Sequence, residues 1–212
     1  MTIPIRKVLP YLLVPVLFLL LMDFFPESIS WTIHQRFDLN QELNVPTWYS
    51  ATLLLLVSVA ALGLFAYSDP KSPSRRFWLI TSLVYCYLSI DESAALHEAL
   101  AVHIKWYYVY APPAFAYMLF TLRTLFKHEE ATVRNWILVG LVAYGTGALT
   151  LEIIWYIFKP FPAWAEITFV AVEETLEMVG TILVLGGCLH AWNRLMLSRL
   201  SARTEVERQP AR

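Results

Sequence analysis

The chain is short of charge. Lysine, arginine, aspartate and glutamate make up 16% of its 212 residues, against about 25% in an ordinary soluble domain. Apolar residues make up 58%, and the remaining polar surface is too small to cover that many apolar side chains in water. This composition excludes a soluble enzyme, a nucleic-acid-binding protein and a disordered protein.

Several common catalytic and binding motifs are also absent. The sequence contains no Cys-x-x-Cys pair, no Ser-His-Asp set, no glycine-rich phosphate loop and no haem-binding histidine pair. Its two cysteines, Cys86 and Cys188, stand alone inside apolar segments, without a histidine close enough to complete a zinc knuckle. We therefore expect two buried thiols, and the chemistry of the chain must rest on other residues.

Six long apolar segments are present, and each is near the length of about 20 residues that crosses roughly 30 Å of hydrocarbon. Each must be helical, because lipid offers no hydrogen-bond partner to the backbone. The sequence therefore predicts an all-α integral membrane bundle of six transmembrane helices in a lipid bilayer, over residues 8–25, 48–67, 77–100, 108–127, 133–158 and 164–193. We expect one transmembrane domain, residues 1–200, and a polar cytoplasmic tail, residues 201–212. Because no small-residue cleavage site follows the first segment, we interpret it as a retained span.

Basic residues are distributed unevenly among the connections between the predicted spans. Thirteen lie in the N-terminal segment, the 68–76 loop, the 123–134 region and the C-terminal tail. Only three lie in the alternate connections, namely Arg36, Lys105 and Lys159. Since cytoplasmic connections carry the excess of lysine and arginine, the sequence predicts a multi-pass protein of the plasma (inner) membrane with both termini in the cytoplasm.

A face of small residues runs along the fifth predicted span. Gly140, Ala143 and Gly147 are spaced at three and four residues, which puts them on one side of a helix. Such a face predicts that another helix packs closely against this span.

The predicted spans contain seven acidic residues, although an ionisable side chain in a span costs about 2.5–3.5 kcal/mol on insertion scales. With a rise of 1.5 Å per residue, the predicted orientation puts all seven between the middle of the membrane and its outer surface. His97 is the one histidine inside that layer. The acidic residues are Asp91, Glu92 and Glu98 in the third span, Glu152 in the fifth, and Glu173, Glu174 and Glu177 in the sixth.

Helical spacing predicts that these side chains face one another. At about 100° per residue, Asp91 and Glu98 share a face of the third span, and the three glutamates of the sixth span fall within one arc of about 100°. Like-charged carboxyl groups in a medium of low dielectric constant either hold protons or gather around a cation. These two outcomes define two hypotheses for the site.

The first hypothesis is a divalent-metal site of a membrane-embedded enzyme, built as in the carboxylate bundle proteins from facing helices. Oxygen-rich ligation with one imidazole favours Mn, Fe or Zn, and an all-carboxylate site would suit Ca²⁺. Such a site would activate water to hydrolyse a lipid-like substrate, or would activate O₂. The expected metal ligands are Asp91, His97, Glu98, Glu152, Glu174 and Glu177, and the expected catalytic groups are Glu92 and Glu173.

The second hypothesis is a proton or cation transporter, because carboxylates along spans with polar neighbours are typical of ion pathways. A third interpretation is a structural or assembly subunit, in which protonated buried carboxyl groups hold helices together by hydrogen bonds. The metal hypothesis explains the one-sided position of the cluster better than a pathway does, because no acidic or basic residue continues the route through the inner half.

The Asp91-Glu92 pair resembles the Asp-Glu pair of alkaline ceramidases and related membrane hydrolases, which use zinc on a lipid amide. Those enzymes need three histidine ligands, including a His-x-x-x-His pair. This chain offers only His97 in the corresponding layer, so no membership of that family is inferred.

Overall fold

A computed structural model of the chain describes residues 2–26, 28–101, 105 and 107–208, and within its helices it does not describe the side chains of residues 98, 100, 101, 163, 202, 203 and 205–208. All regular secondary structure in the described residues is helical. The helices are α1 (Ile5–Asp23), α2 (Trp31–Phe37), α3 (Val45–Tyr67), α4 (Arg75–Ala94), α5 (Leu96–Ala101), α6 (Tyr107–His128), α7 (Ala131–Gly145), a π-helical turn (Thr146–Leu151), α8 (Glu152–Phe158) and α9 (Ala163–Arg208).

Within the part of the chain that the structure describes, three helical segments are long and apolar enough to cross a membrane. They are Ile5–Asp23, Val45–Tyr67 and the continuous run Ala131–Phe158, which correspond to the first, second and fifth predicted spans. The helices over the other three predicted spans are more polar. Of these helices, α4 and α9 contain acidic residues of the predicted site, while α6 contains several tyrosines and two consecutive prolines.

The third and sixth predicted segments have other boundaries in the structure. The third is not one helix, because Ala95 adopts a left-handed conformation with φ 50° and ψ 42° and ends α4. The sixth continues as α9 for 46 residues, to Arg208, or about 69 Å at 1.5 Å per residue. The segment predicted as a polar tail is therefore helical up to residue 208.

The predicted small-residue face brings two helix backbones into contact. A Cβ atom added to Gly140 in α7 would lie 2.6 Å from the carbonyl oxygen of Gly180 in α9, and one added to Gly180 would lie 2.5 Å from the backbone nitrogen of Tyr144. These distances leave no room for a side chain on either glycine. The predicted close approach of a helix to this face is confirmed, and the partner is α9.

The main hydrophobic core lies where α4 and α7 begin and α6 ends. We call this end of the bundle the closed half. Cys188 is fully buried there, as expected, but Cys86 is partly exposed. The core side chains come from α3, α4, α6, α7 and α9 and include Val57, Phe77, Trp78, Leu125, Val133, Ile137 and Val184.

Candidate functional site

A large cavity of about 1270 Å³ lies between α4, α6, α9 and the α7–α8 segment. We call the end of the bundle that contains it the open half. Seven of the eight site residues predicted from the sequence line this one cavity, and the side chain of the eighth, Glu98, lies outside the described residues. The seven are Asp91, Glu92, His97, Glu152, Glu173, Glu174 and Glu177.

His97 reaches the cavity because the chain turns at Ala95. In an unbroken helix, residues six apart point in different directions. The left-handed Ala95 redirects the chain instead, so that Nδ1 of His97 lies 3.2 Å from Oδ2 of Asp91. A carboxylate beside one ring nitrogen fixes the orientation and tautomer of an imidazole, which makes Asp91 a positioning group for His97.

The other ring nitrogen of His97 faces a residue that the sequence analysis did not include. Nε2 lies 3.7 Å from Oε1 of Glu42, and Glu42 also lines the cavity. Glu42 belongs to the connection between α2 and α3, which is tied down on both sides. The backbone N–H of Leu39 donates to Asp23 at the end of α1 (2.9 Å), and Asn44 caps α3 by accepting from the N–H of Thr47 (3.3 Å).

Both chain segments that meet at His97 contain a strained residue. Among the described residues other than glycine, a positive φ occurs at Leu43 (61°), next to Glu42, and at Ala95 (50°), two residues before His97. A side chain in the left-handed region costs about 1–2 kcal/mol. Such strain is commonly kept at functional sites, where the surrounding structure holds it in place.

Asp91 is buried and has a second partner from the opposite wall. The hydroxyl of Tyr110 in α6 donates to Oδ1 of Asp91 at 2.6 Å, and it lies 2.7 Å from the hydroxyl of Tyr87 in α4. Both carboxylate oxygens of Asp91 therefore have partners within the protein. Asp91 thus joins Tyr110 and His97, and its role as a metal ligand stays a prediction.

The glutamates of α9 line the wall that packs on the π-helical turn. A Cβ atom added to Gly147 would lie 2.7 Å from the carbonyl oxygen of Glu173 and 2.8 Å from Cγ of Glu177. Glycine at this position lets the stem of Glu177 lie against the turn. The same turn leads into Glu152, the first residue of α8, and π-helical insertions of this kind are frequent at functional sites.

The cavity holds far more acidic than basic groups. Besides the six predicted acidic residues, Glu42 and Glu166 line it, which makes eight carboxyl groups. Of the lysines and arginines that the structure describes, Lys105 alone lines it. The Nζ atom of Lys105 lies 4.7 Å from the ring centre of Tyr156, and a hydrogen bond with Tyr107 raises the pKa of Lys105 above its ordinary value.

The acidic residues are spread over the walls. Among the residues that the structure describes, no three histidine, cysteine, aspartate or glutamate side chains are grouped closely enough to hold a metal ion. The described side chains therefore do not form a ready-made metal centre, and a metal ion would require several of them to change rotamer.

Comparison with known families gives one match. The model of a family described as a domain of unknown function, DUF8692, matches residues 10–192. The chain belongs to this family. No curated protein and no solved structure matches it.

The range matched by DUF8692 includes every residue that lines the cavity. It ends before Arg194, whose guanidinium contacts the buried carboxylate of Glu129 in the closed half. The cavity is thus contained within the DUF8692 domain, and the C-terminal extension of α9 lies beyond it.

Glu42 could not be found by the reasoning that found the other carboxylates. It lies outside the apolar segments, where an acidic residue is common and costs nothing. The one sequence signal was its place in a connection predicted on the outer side, the side toward which the acidic cluster was also predicted to lie. Contacts distant in sequence bring it to His97, and single-sequence patterns do not reveal such contacts.

Proposed function

We propose that this protein is a multi-pass protein of the plasma membrane with six spans and both termini in the cytoplasm. The thirteen-to-three distribution of basic residues supports this topology, and the three apolar helical segments fit it. A reporter active only in the cytoplasm, fused after Arg212, is expected to be active. Activity of a periplasmic or extracellular reporter at the same position would contradict the topology.

Within that topology, the protein acts as a membrane-embedded enzyme on a lipid-like substrate, with a divalent metal ion bound by cavity carboxylates. The observation that carries this proposal is the ratio of eight carboxyl groups to one ammonium in a single cavity. So many carboxyl groups cannot all be ionised in one enclosed space unless cations neutralise them. A divalent ion would neutralise several at once and would supply an activated water.

The geometry suggests a division of roles. Glu174 and Glu177 are three residues apart on α9 and line the same wall, so both can turn toward one ion. His97 can ligate through Nε2 while Asp91 holds Nδ1, the usual arrangement of a metal-bound histidine. Glu92 or Glu173 then serves as the general base for the water. Mn, Fe or Zn suits this mixed oxygen and nitrogen set.

Elemental analysis of the purified protein tests the metal. We expect a stoichiometric transition metal in the detergent-purified protein and its loss in the double variant Glu174→Gln/Glu177→Gln. The matched control is Glu130→Gln, which removes an exposed carboxylate that does not line the cavity. Retention of metal by the double variant, or the absence of binding at micromolar free Mn²⁺, Fe²⁺ and Zn²⁺, would exclude this metal site.

Proton or cation transport is the second candidate function. Three tyrosines, Tyr85, Tyr117 and Tyr144, also line the cavity and continue its polar surface toward the closed half. The hydroxyl of Tyr117 donates to Thr81 at 3.0 Å. Flux into proteoliposomes under a pH gradient, lost in Glu174→Gln, would favour transport over hydrolysis. An absence of both flux and metal would leave a structural role for the carboxyl groups.

A further inference from the structure

The cavity opens on the side of the bundle as well as at its acidic end. Three apolar residues that line it are also among the most exposed side chains of the chain, namely Leu83 in α4 (61% exposed), Phe115 in α6 (65%) and Val142 in α7 (61%). A side chain that faces both a cavity and the outer surface lies at an opening between them. On the proposed membrane topology, this opening faces hydrocarbon.

Hydrogen bonds between long side chains join α6 to α4 on both sides of this opening. The hydroxyls of Tyr110 and Tyr87 meet at 2.7 Å, and the hydroxyl of Tyr117 reaches Thr81 at 3.0 Å. At the level between these two bridges α6 presents the small residue Ala114, which lines the cavity. The space between the two helices therefore has tyrosines at both ends, and small and apolar side chains line it between them.

The wall next to the opening is apolar, and the other end of the cavity is acidic. Val84, Leu88, Met118, Leu141 and Leu149 line the apolar part. At about 1270 Å³, the cavity exceeds the roughly 300–1,000 Å³ of typical small-molecule sites. Its shape and polarity match an amphiphile, whose tail would lie along the apolar wall and whose head would reach the carboxylates.

The charge of the cavity selects the kind of head group. One divalent ion and Lys105 together carry three positive charges for eight carboxyl groups, and each carboxyl group beyond these either holds a proton or meets another cation. An anionic head would meet like charges, whose juxtaposition costs several kcal/mol, whereas a cationic head would be attracted.

A buried hydroxyl gives an independent sign of a missing polar partner. Tyr85 lines the cavity and is 1% exposed, and its hydroxyl has no hydrogen-bond partner among the described residues. Such groups are rare in folded proteins and commonly mark the position of a water or a ligand atom.

We propose that the cavity binds a long-chain amphiphile with an amine head group, which enters sideways from the membrane between α4 and α6. The inference rests on the proposed membrane topology and names the class of lipid-like molecule that the site takes. The ammonium lies among the carboxylates at the acidic end of the cavity, and the hydrocarbon tail runs out past Ala114 and Leu83. Binding of this amphiphile does not require that the carboxylates also bind a metal ion.

The test uses photoreactive probes on the full chain in nanodiscs of zwitterionic lipid. Three diazirine probes with the same sixteen-carbon chain carry an amine, an alcohol or a carboxylic acid. We expect the amine to label the protein at a concentration about ten-fold or more below that needed by the acid, because the cavity repels a second carboxylate. Labelled peptides should come from α4, α6 and α7, and unlabelled dodecylamine should compete.

Two tryptophan variants separate the cavity from the general lipid-facing surface. Ala114→Trp fills the opening and should abolish the labelling that dodecylamine competes for. Leu55→Trp adds the same side chain to α3, at a residue that is 47% exposed and does not line the cavity, and should leave labelling unchanged.

Several results of these labelling experiments would overturn the proposal. Equal labelling by the three probes, or a preference for the acid, would overturn the proposal, as would dodecylamine-competed labelling only outside α4, α6 and α7. Competition on the unchanged chain decides the question even if Ala114→Trp does not fold. The metal content of the same nanodisc samples is measured independently. A protein that contains no metal but still prefers the amine probe would refute the proposed metal enzyme and support the amphiphile site.

Discussion

The two halves of the bundle use the same helices in opposite ways. In the closed half, Gly140 and Gly180 bring α7 and α9 into backbone contact, and Phe77, Val184 and Cys188 are fully buried. In the open half, the same pair of helices continues into the π-helical turn and the glutamates of α9, which line a cavity of about 1270 Å³. The closed half is packed as a core throughout, while the open half packs Leu19, Leu39, Leu53 and Ala171 on one side and keeps carboxylates apart on the other.

The difference shows how a small membrane bundle can hold an acidic cavity. Ionisable side chains in a membrane favour separation and contact with water, which opposes close helix packing. The closed half supplies packing that offsets this effect, because glycines permit van der Waals contact between backbones where lipid removes the hydrophobic driving force. The stability of the bundle should therefore depend mainly on the closed half.

The largest expected effect comes from breaking the closed half. Gly180→Leu puts a side chain where a Cβ atom would already lie 2.5 Å from the backbone nitrogen of Tyr144. Since backbone atoms cannot move aside, we expect a loss of about 3 kcal/mol or more in the free energy of unfolding. Chemical denaturation in detergent, followed by circular dichroism, measures this loss.

The matched control for that variant is Gly145→Ala. A Cβ atom added to Gly145 would have nothing within 4 Å, and alanine is the better helix former by about 0.5–1 kcal/mol. We therefore expect the control to be neutral or more stable. If both variants lost stability equally, the close α7–α9 contact would not be the source of the effect.

An intermediate effect on the free energy of unfolding is expected from two tyrosines between the closed core and the cavity. Tyr117→Phe removes the donor to Thr81 and should cost about 1 kcal/mol of unfolding free energy. Tyr85→Phe removes a hydroxyl that has no partner among the described residues and should be neutral or stabilising, since no hydrogen bond within them is lost. Thermal unfolding of both variants, run side by side, checks the difference.

The result for Tyr85→Phe also sharpens the boundary between the halves. Tyr85 belongs to the closed core and lines the cavity as well. If Tyr85→Phe costs as much as Tyr117→Phe in the ligand-free protein, a bound water satisfies the Tyr85 hydroxyl, and if the cost appears only with the amphiphile bound, the ligand satisfies it.

Apolar length and helical spacing predicted much of this molecule. The predicted spans 8–25, 48–67 and 133–158 coincide with helical segments long and apolar enough to cross a membrane, because hydrocarbon thickness and backbone hydrogen bonding leave few alternatives. Spacing alone put Glu173, Glu174 and Glu177 on one face of a helix, and all three line the cavity.

The break at Ala95 could not be predicted by the same reasoning. Alanine is the strongest helix former, and Ala94-Ala95 reads as helix interior. The left-handed turn there exists because tertiary contacts on both sides, His97 with Asp91 and with Glu42, hold it against its intrinsic preference. Local sequence patterns contain no information about such contacts, so the continuous third span was wrong for the same reason that Glu42 was missed.

The smallest expected effect concerns the strain that holds the open half in shape. Ala95→Gly removes a left-handed penalty of about 1–2 kcal/mol and adds the entropy cost of glycine, about 0.5–1 kcal/mol, so the net gain in unfolding free energy lies between about 0 and 1.5 kcal/mol. Ala94→Gly, one residue earlier in right-handed helix, should lose stability instead. Because glycine keeps the left-handed turn, Ala95→Gly should bind the proposed ligands as well as the unchanged chain. Ala95→Val, which disfavours the left-handed conformation, should lose both stability and binding, and full binding by a folded Ala95→Val would show that the turn at Ala95 does not position the site.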